Sequence, residues 1–107
     1  MVYSGMVEKS RPHHDLRVIK ASFATARDLR ITGSALKDAA ALGYNSDEIV
    51  AVIQSIEPGQ FYKSMTAYHD HKIWHDVYHV LYEGDTLYVK FTDNAVQQMT
   101  LLSFKAK

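Results

Sequence analysis

Two aromatic, β-prone runs each carry a side chain able to do acid–base or anion chemistry. They are Phe61-Tyr62-Lys63-Ser64-Met65-Thr66-Ala67-Tyr68 and Ile73-Trp74-His75-Asp76-Val77-Tyr78. Lys63 offers an ammonium, and His75 offers an imidazole that changes charge near neutral pH. Further on, Leu87-Tyr88-Val89-Lys90 and Ser103-Phe104-Lys105 add a phenol and two more ammonium groups. A lysine holds negative charge without any change of pKa. It acts as a base only if burial or a neighbouring cation brings its pKa far below about 10.4. The chain has no cysteine, and no serine in the sequence stands beside an evident base, so a covalent nucleophile is not expected. Each residue also has a plain structural reading. A strand tyrosine usually fills half-buried surface, and a lysine on a terminal strand is usually solvated or discourages edge pairing.

Four histidines, His69, His71, His75 and His79, lie close together with Asp70 and Asp76 between them. On a helix, His75 and His79 would sit one turn apart and could share a zinc ion. Their β-prone surroundings favour a strand, where four positions span about 13 Å, too far for a shared ligand. His69 with His71 remains a possible chelating pair in a strand or loop. The simpler expectation for His69, His71 and His79 is solvated polar residues on an exposed sheet face.

At 107 residues the chain suits one domain, 1–107, with a single core. The hydrophobic share of 47% and charged share of 22% fit a folded globular protein. The lack of cysteine removes disulfides, thiolate zinc sites and thiol nucleophiles, and is compatible with a reducing cytosol. The N-terminus has no signal-like apolar run, and no window approaches the roughly 18 apolar residues of a membrane span. A soluble cytoplasmic protein is expected, with residues 1–7 as an extension that need not be ordered. Lys plus Arg balance Asp plus Glu at 12 each. Zero net charge counts against a nucleic-acid enzyme, because phosphate binding usually rests on excess positive charge. Lys63, Lys90 and Lys105 gathered in one cleft would still make a local positive field.

The first half of the chain reads as helices. Pro12 suits a first helical turn, and Leu16, Ile19 and Phe23 recur on one helical face. Thr32 reads as an N-cap for Ser34–Leu42, which Gly43 would end with a left-handed cap. Asn45 and Glu48 form a capping-box pattern, followed by the apolar stripe Ile49, Val52, Ile53 and Ile56, and Pro58-Gly59 stops that helix. The second half reads as strands: Phe61–Tyr68, Lys72–Tyr82, Thr86–Thr92 and Val96–Lys105, with turns at Glu83-Gly84-Asp85 and Asp93-Asn94. In Thr86–Thr92 the alternation puts Leu87, Val89 and Phe91 on one face and Tyr88, Lys90 and Thr92 on the other. The layout is α+β, with N-terminal helices packed on one face of a C-terminal antiparallel sheet and the other face free for a substrate.

Several segments together resemble the MqsR (motility quorum-sensing regulator) family of bacterial toxins: Phe61-Tyr62-Lys63-Ser64-Met65-Thr66, Ile73 to Tyr78, Leu87 to Lys90, Ser103 to Lys105, the opening Glu8-Lys9-x-x-Pro12-His13, and Ser34-Ala35-Leu36. The resemblance runs from about Glu8 to Lys107. It implies a RelE-like fold and an endoribonuclease that cleaves single-stranded messenger RNA without the ribosome, at short GC-containing sites. It also implies a cognate antitoxin, MqsA-like, with a zinc-binding N-terminal domain and a helix-turn-helix C-terminal domain. No cofactor and no metal are implied for the toxin itself. Lys63, Tyr88 and Lys105 match positions that the family implicates in catalysis. Tyr62 and Met65 flank Lys63 and are candidates to pack against a base. At position 75 relatives commonly carry glutamine, so His75 departs from the pattern at a proposed active-site position and brings proton chemistry that glutamine lacks.

Cleavage by this fold uses the substrate's 2′-hydroxyl as nucleophile. The site then has three jobs: take that hydroxyl's proton, hold the extra charge at phosphorus, and protonate the departing 5′-oxygen. The candidate catalytic set is Lys63, His75, Tyr88 and Lys105, with the Lys63 ammonium expected to push the His75 pKa down. Two rival readings stand beside this one. A non-catalytic RNA-binding or co-regulatory relative of the same fold is favoured by the neutral charge and by His75, and a histidine-metal hydrolase rests on the histidine cluster alone.

Overall fold

Local hydrogen bonds start each helix where the sequence supplies a cap. The computed structural model describes residues 7–93 and 98–107. Helix α1 (Leu16–Ser22) begins at Asp15, whose carboxylate accepts the Arg17 N–H at 2.8 Å. Pro12 lies ahead of this helix and not in its first turn, a correction to the sequence expectation. The reason is tertiary: the His13 and His14 N–H groups donate to Asp76 on the sheet, which holds the chain there outside a helix. Helix α2 (Gly33–Ala41) follows Thr32, whose hydroxyl accepts the Ala35 N–H at 3.2 Å, and Gly43 turns the chain at φ +91°. Helix α3 (Ser46–Ser55) has the full Asn45–Glu48 capping box, both bonds at 2.9 Å. Its stripe Ile49, Val52 and Ile53, with Ile56 just beyond, is fully buried.

The sheet is antiparallel, and its five strands lie in sequence order. They are β1 (Glu8–Lys9), β2 (Phe61–Ala67), β3 (Asp70–Tyr82), β4 (Asp85–Asp93) and β5 (Met99–Ala106). The two-residue β1 was not foreseen. The expected turn at Asn94, the strand start at Val96 and residues 1–6 of the expected extension 1–7 fall outside the described residues, whereas Val7, the last of that extension, is held to Thr66 by two hydrogen bonds of 2.8 Å. Between β3 and β4, Glu83 and Gly84 both have positive φ, 48° and 88°, as a type I′ hairpin turn requires. Tyr78, Val80, Leu87, Val89, Phe91, Leu101 and Phe104 form the sheet side of the core, against Ile19, Phe23 and the α3 stripe. With Ala35 and Ala39 of α2 in the same core, the three α-helices among the described residues serve one face, and the α+β arrangement read from the sequence is the one adopted. Among the described residues, no helix is long and apolar enough to cross a membrane.

Of the three register shifts among the described strands, two, at Tyr62 and Leu102, decide which side chains reach the other face. In a regular strand Phe61 and Lys63 would point the same way, since side chains alternate with period 2. Here Phe61 pairs with Tyr78 and Lys63 with Val77, so Tyr62 is an extra residue. Phe61 thus packs edge-on against Tyr78 at 5.5 Å in the core, while Tyr62 and Lys63 both turn to the open face. Strand β5 repeats the device. Phe91 pairs with Leu101 and Lys90 with Ser103, leaving Leu102 as the extra residue. Leu101 and Phe104 can then both be buried, while Ser103 and Lys105 face outward.

A buried carboxylate ties the N-terminal segment to the sheet. Asp76 is fully buried and accepts the N–H groups of His13 at 3.1 Å and His14 at 2.7 Å, together with the Ser64 hydroxyl. The His14 ring lies between Asp76, 3.3 Å from Nδ1, and Asp93, 3.4 Å from Nε2. Neither contact is aligned as a hydrogen bond, so we read both as charge contacts. Burial alone would raise the Asp76 pKa, but the charge contact with the His14 ring, the Ser64 hydroxyl and the backbone N–H groups of His13 and His14 outweigh it and hold the carboxyl below its ordinary value. Burial would lower His14, but Asp76 and Asp93 outweigh it and raise that ring above its ordinary value. Ser64 does stand beside a carboxylate, but it is fully buried and cannot meet a substrate. On the same side, Trp74 stacks on His13 at 5.2 Å with the Lys9 ammonium 4.1 Å from its ring.

Asp76→Ala should cost roughly 3–5 kcal/mol in urea unfolding, because it strands a buried imidazole, a hydroxyl and two N–H groups. The pH dependence has a definite sign on each side. The Asp76 contribution is complete above the ordinary carboxylate pKa and is lost as pH falls through the lowered folded value. The His14 contribution is complete below about 6.5 and is lost as pH rises through the raised folded value. His14→Gln should therefore remove the alkaline slope of stability, and an unchanged slope would exclude His14 as its source.

Candidate active site

The strand register lays the open face out as a grid. One row across the sheet holds Glu8, Met65 and His75; the next holds Lys63, Val77, Lys90 and Ser103; the third holds His79, Tyr88 and Lys105. Tyr62 joins the third row by stacking on His79, with ring centroids 4.2 Å apart. All six residues expected at the site, Tyr62, Lys63, Met65, His75, Tyr88 and Lys105, lie on this one face.

They do not converge on one point. Lys63 is on β2 and Lys105 on β5, three strand spacings (about 14 Å) across the sheet and one row along it. Lys63 donates to the Glu8 carboxylate at 2.7 Å and lies 5.4 Å from the Tyr62 ring. That hydrogen bond raises the Lys63 pKa, so this lysine stays an ammonium and cannot serve as a base. Lys105 is exposed and sits 5.2 Å from the ring of Tyr88, its cross-strand partner. Burial raises the Tyr88 pKa and keeps the phenol protonated as a hydrogen-bond donor. Met65 is buried beside His75 as its cross-strand partner.

His75 is half-buried, and its pKa is lowered first by burial and next by the Lys90 ammonium. The expected direction is right, but the cation is Lys90 and not Lys63, which is engaged by Glu8. Lys90 is itself half-buried, and burial followed by repulsion from Lys105 lowers its pKa. Its place on the face was legible in the alternation Tyr88-Lys90-Thr92, although it was not among the candidate site residues. The solvated reading holds for His69 and His71, which are exposed, but fails for His79. That ring lies between Tyr62 and Tyr88, 6.0 Å from the latter, in a continuous aromatic band. Glu8 carried no signal beyond the family-like opening, because β1 is too short to read. Among the described residues, no three His, Asp or Glu side chains come together to hold a metal ion.

The face thus combines a neutral imidazole, three ammonium groups, a phenol and stacked rings, a set suited to gripping a phosphodiester and moving its protons. Comparison with known proteins gives the same family that the sequence segments resemble. Residues 11–106 match the family described as "Motility quorum-sensing regulator, toxin of MqsA". The mRNA interferase toxin MqsR of Escherichia coli (strain K12) is 39% identical over 101 residues, covering 94% of this chain and all of that protein. With the family matched along almost its whole length, this chain belongs to the MqsR toxin family.

Proposed function

We propose that this chain is the toxin of a toxin–antitoxin pair and acts as a ribosome-independent endoribonuclease, an mRNA interferase cutting single-stranded messenger RNA. The observation that carries the reading is the shared open face: both bulges turn a lysine onto the face that already holds His75 and Tyr88. His75 is the general base, since its lowered pKa leaves it neutral near pH 7. It takes the proton of the 2′-hydroxyl as the 2′-oxygen attacks phosphorus and the bond to the 5′-oxygen breaks. Lys63 and Lys105 hold charge on the RNA backbone from opposite sides of the face, and Tyr88 or one of the ammonium groups returns a proton to the 5′-oxygen. Tyr62, exposed on the face, bears on the bases beside the cut, whereas Met65 is buried and acts only by packing against His75. Cutting falls at short GC-containing sites, with the third base left open by the change to His75. The partner is a cognate antitoxin with a zinc-binding N-terminal domain and a helix-turn-helix C-terminal domain. We place the protein in the cytoplasm as one domain.

A second reading, an RNA-binding relative without catalysis, draws on one contact. In this structure the Lys63 ammonium is occupied by Glu8, so an RNA phosphate must compete with a carboxylate there. Cleavage of a short synthetic RNA by purified protein, with ends mapped, separates the two readings.

Lys63→Ala should lower cleavage by roughly 10²–10³-fold. Stability should change by no more than about 1 kcal/mol, because the Glu8 partner is solvent-exposed. A folded variant that cuts at the wild-type rate would remove Lys63 from the mechanism.

The 5′ product should end in a 2′,3′-cyclic phosphate or the 3′-phosphate derived from it, and a single deoxyribose 5′ of the cut should block cleavage. Cutting of the deoxy substrate at the same bond would rule out 2′-hydroxyl attack. EDTA should leave the rate unchanged.

For His75 acting as base, kcat/KM should rise with pH and level off above a pKa below about 6.5. His75→Gln should flatten this limb while keeping part of the activity, since glutamine still orients the substrate. Superimposable pH–rate curves for the two proteins would reduce His75 to a surface difference.

A further inference from the structure

The half-buried ammonium at the centre of the face is Lys90. It lies opposite Val77 on β3 and Ser103 on β5, with Tyr88 and Thr92 on either side along its own strand. His75 is two residues from Val77, Lys105 is two residues from Ser103, and Lys63 lies directly across Val77. Direct cross-strand partners stand about 5 Å apart and diagonal ones about 7–8 Å, so Lys90 neighbours both His75 and Lys105. Lys63 and Lys105 occupy the flanks, and Lys90 spans the gap between them.

We propose that Lys90 is a further catalytic residue, which grips the scissile phosphate between the base His75 and the Tyr88–Lys105 pair. The inference rests on the ribonuclease reading and adds a residue to it. Among the described residues no carboxylate lies within ion-pair distance of Lys90, whereas Lys63 on the same face has Glu8. A lysine without a task snorkels, sending its head group into water. Lys90 instead remains half-buried beside another lysine, where desolvation and like-charge repulsion both disfavour it. An anion at the centre of the face relieves both costs. A phosphodiester is the anion that the neighbouring imidazole, phenol and rings are equipped to receive. During attack the charge at phosphorus grows, so the pairing strengthens in the transition state and speeds reaction as well as binding. Lys90 also acts on His75, which feels Asp76, His14 and His69 besides. The ammonium that holds the phosphate therefore also helps keep the base neutral.

The test uses the full chain as wild type, Lys90→Met and Lys90→Arg. Four readouts are compared: cleavage of a one-site RNA, binding of the same RNA with deoxyribose 5′ of the cut, thermal midpoint, and the His75 ring titration by NMR. Lys90→Met should lose roughly 10²-fold in kcat. Its midpoint should equal or exceed the wild type, because an uncompensated charge is removed. The salt dependence of log K should shrink by about 0.7, the single-strand value for one phosphate contact. The His75 pKa should move up, and Lys90→Arg should recover part of the activity. A folded Lys90→Met with wild-type kcat and salt dependence overturns the proposal while the ribonuclease reading stands. So does a loss of activity that tracks a fallen midpoint and is no smaller in Lys90→Arg. If the wild type binds RNA without cutting, the ribonuclease reading falls and takes the catalytic role of Lys90 with it. The salt dependence then still reports whether Lys90 touches phosphate.

Discussion

Alternation of side chains across a pleated sheet is the constraint on which this molecule turns. One face must be apolar to receive three helices, and whatever chemistry the chain has must occupy the other. A single uninterrupted register cannot meet both demands here. Phe61 and Lys63 are two apart, as are Leu101 and Ser103, and a regular strand would bury each lysine or serine with its apolar neighbour. The extra residues Tyr62 and Leu102 resolve the conflict, each inverting the faces of the residues that come after it in its strand. Core and site are thus fixed by the same two irregularities.

The two faces handle charge in opposite ways. On the helix side, Asp76 is fully buried, but two N–H groups, a hydroxyl and a flanking imidazole meet it, so its burial specifies where the N-terminal segment docks. On the open side, Lys90 is half-buried and meets two other basic groups, Lys105 and His75. The first arrangement is complete among the described residues; the second is the one that the proposed phosphate contact would complete. This contrast also reconciles a chain of zero net charge with a phosphate substrate. Balance over 107 residues does not prevent three ammonium groups from sharing one face.

The fold was legible because local signals agreed with the tertiary outcome. The Asn45–Glu48 box, the Thr32 cap, the left-handed Gly43 and the clean alternation of Thr86–Thr92 all led to the elements observed. Pro12 misled, because its helix-start preference is overridden by Asp76, a partner more than sixty residues away that no window can see. The short β1 was illegible for a similar reason, since two residues carry no periodicity. The site was legible as residue types, but its geometry was not. Which face Lys63 and Lys105 occupy depends on bulges, and bulges leave no reliable mark in composition. His79 looked solvated because the stacking of Tyr62 upon it requires the bulge at Tyr62 itself.

The histidine at position 75 gains meaning from its surroundings more than from its own chemistry. An imidazole on an open face, with ordinary solvation, would be part protonated and part neutral near pH 6.5 and poorly committed to either role. Burial against Met65 and the charge of Lys90 both push it toward the neutral form, and the like charges of His14 and His69 push the same way, with Asp76 opposing. A glutamine in this setting would orient a substrate but leave the proton to water or to another group. The environment that favours a neutral imidazole is burial together with the charge of Lys90, and Lys90 is also the lysine proposed to meet the phosphate, so on that proposal base and anion site are coupled through one charge. That coupling has a consequence in the complex, since an arriving phosphate partly cancels the Lys90 field and lets the His75 pKa drift upward. On the proposed role of His75 as base, the imidazole would be most strongly neutral before substrate arrives and a stronger proton acceptor once it is bound, which is the order that proton abstraction requires.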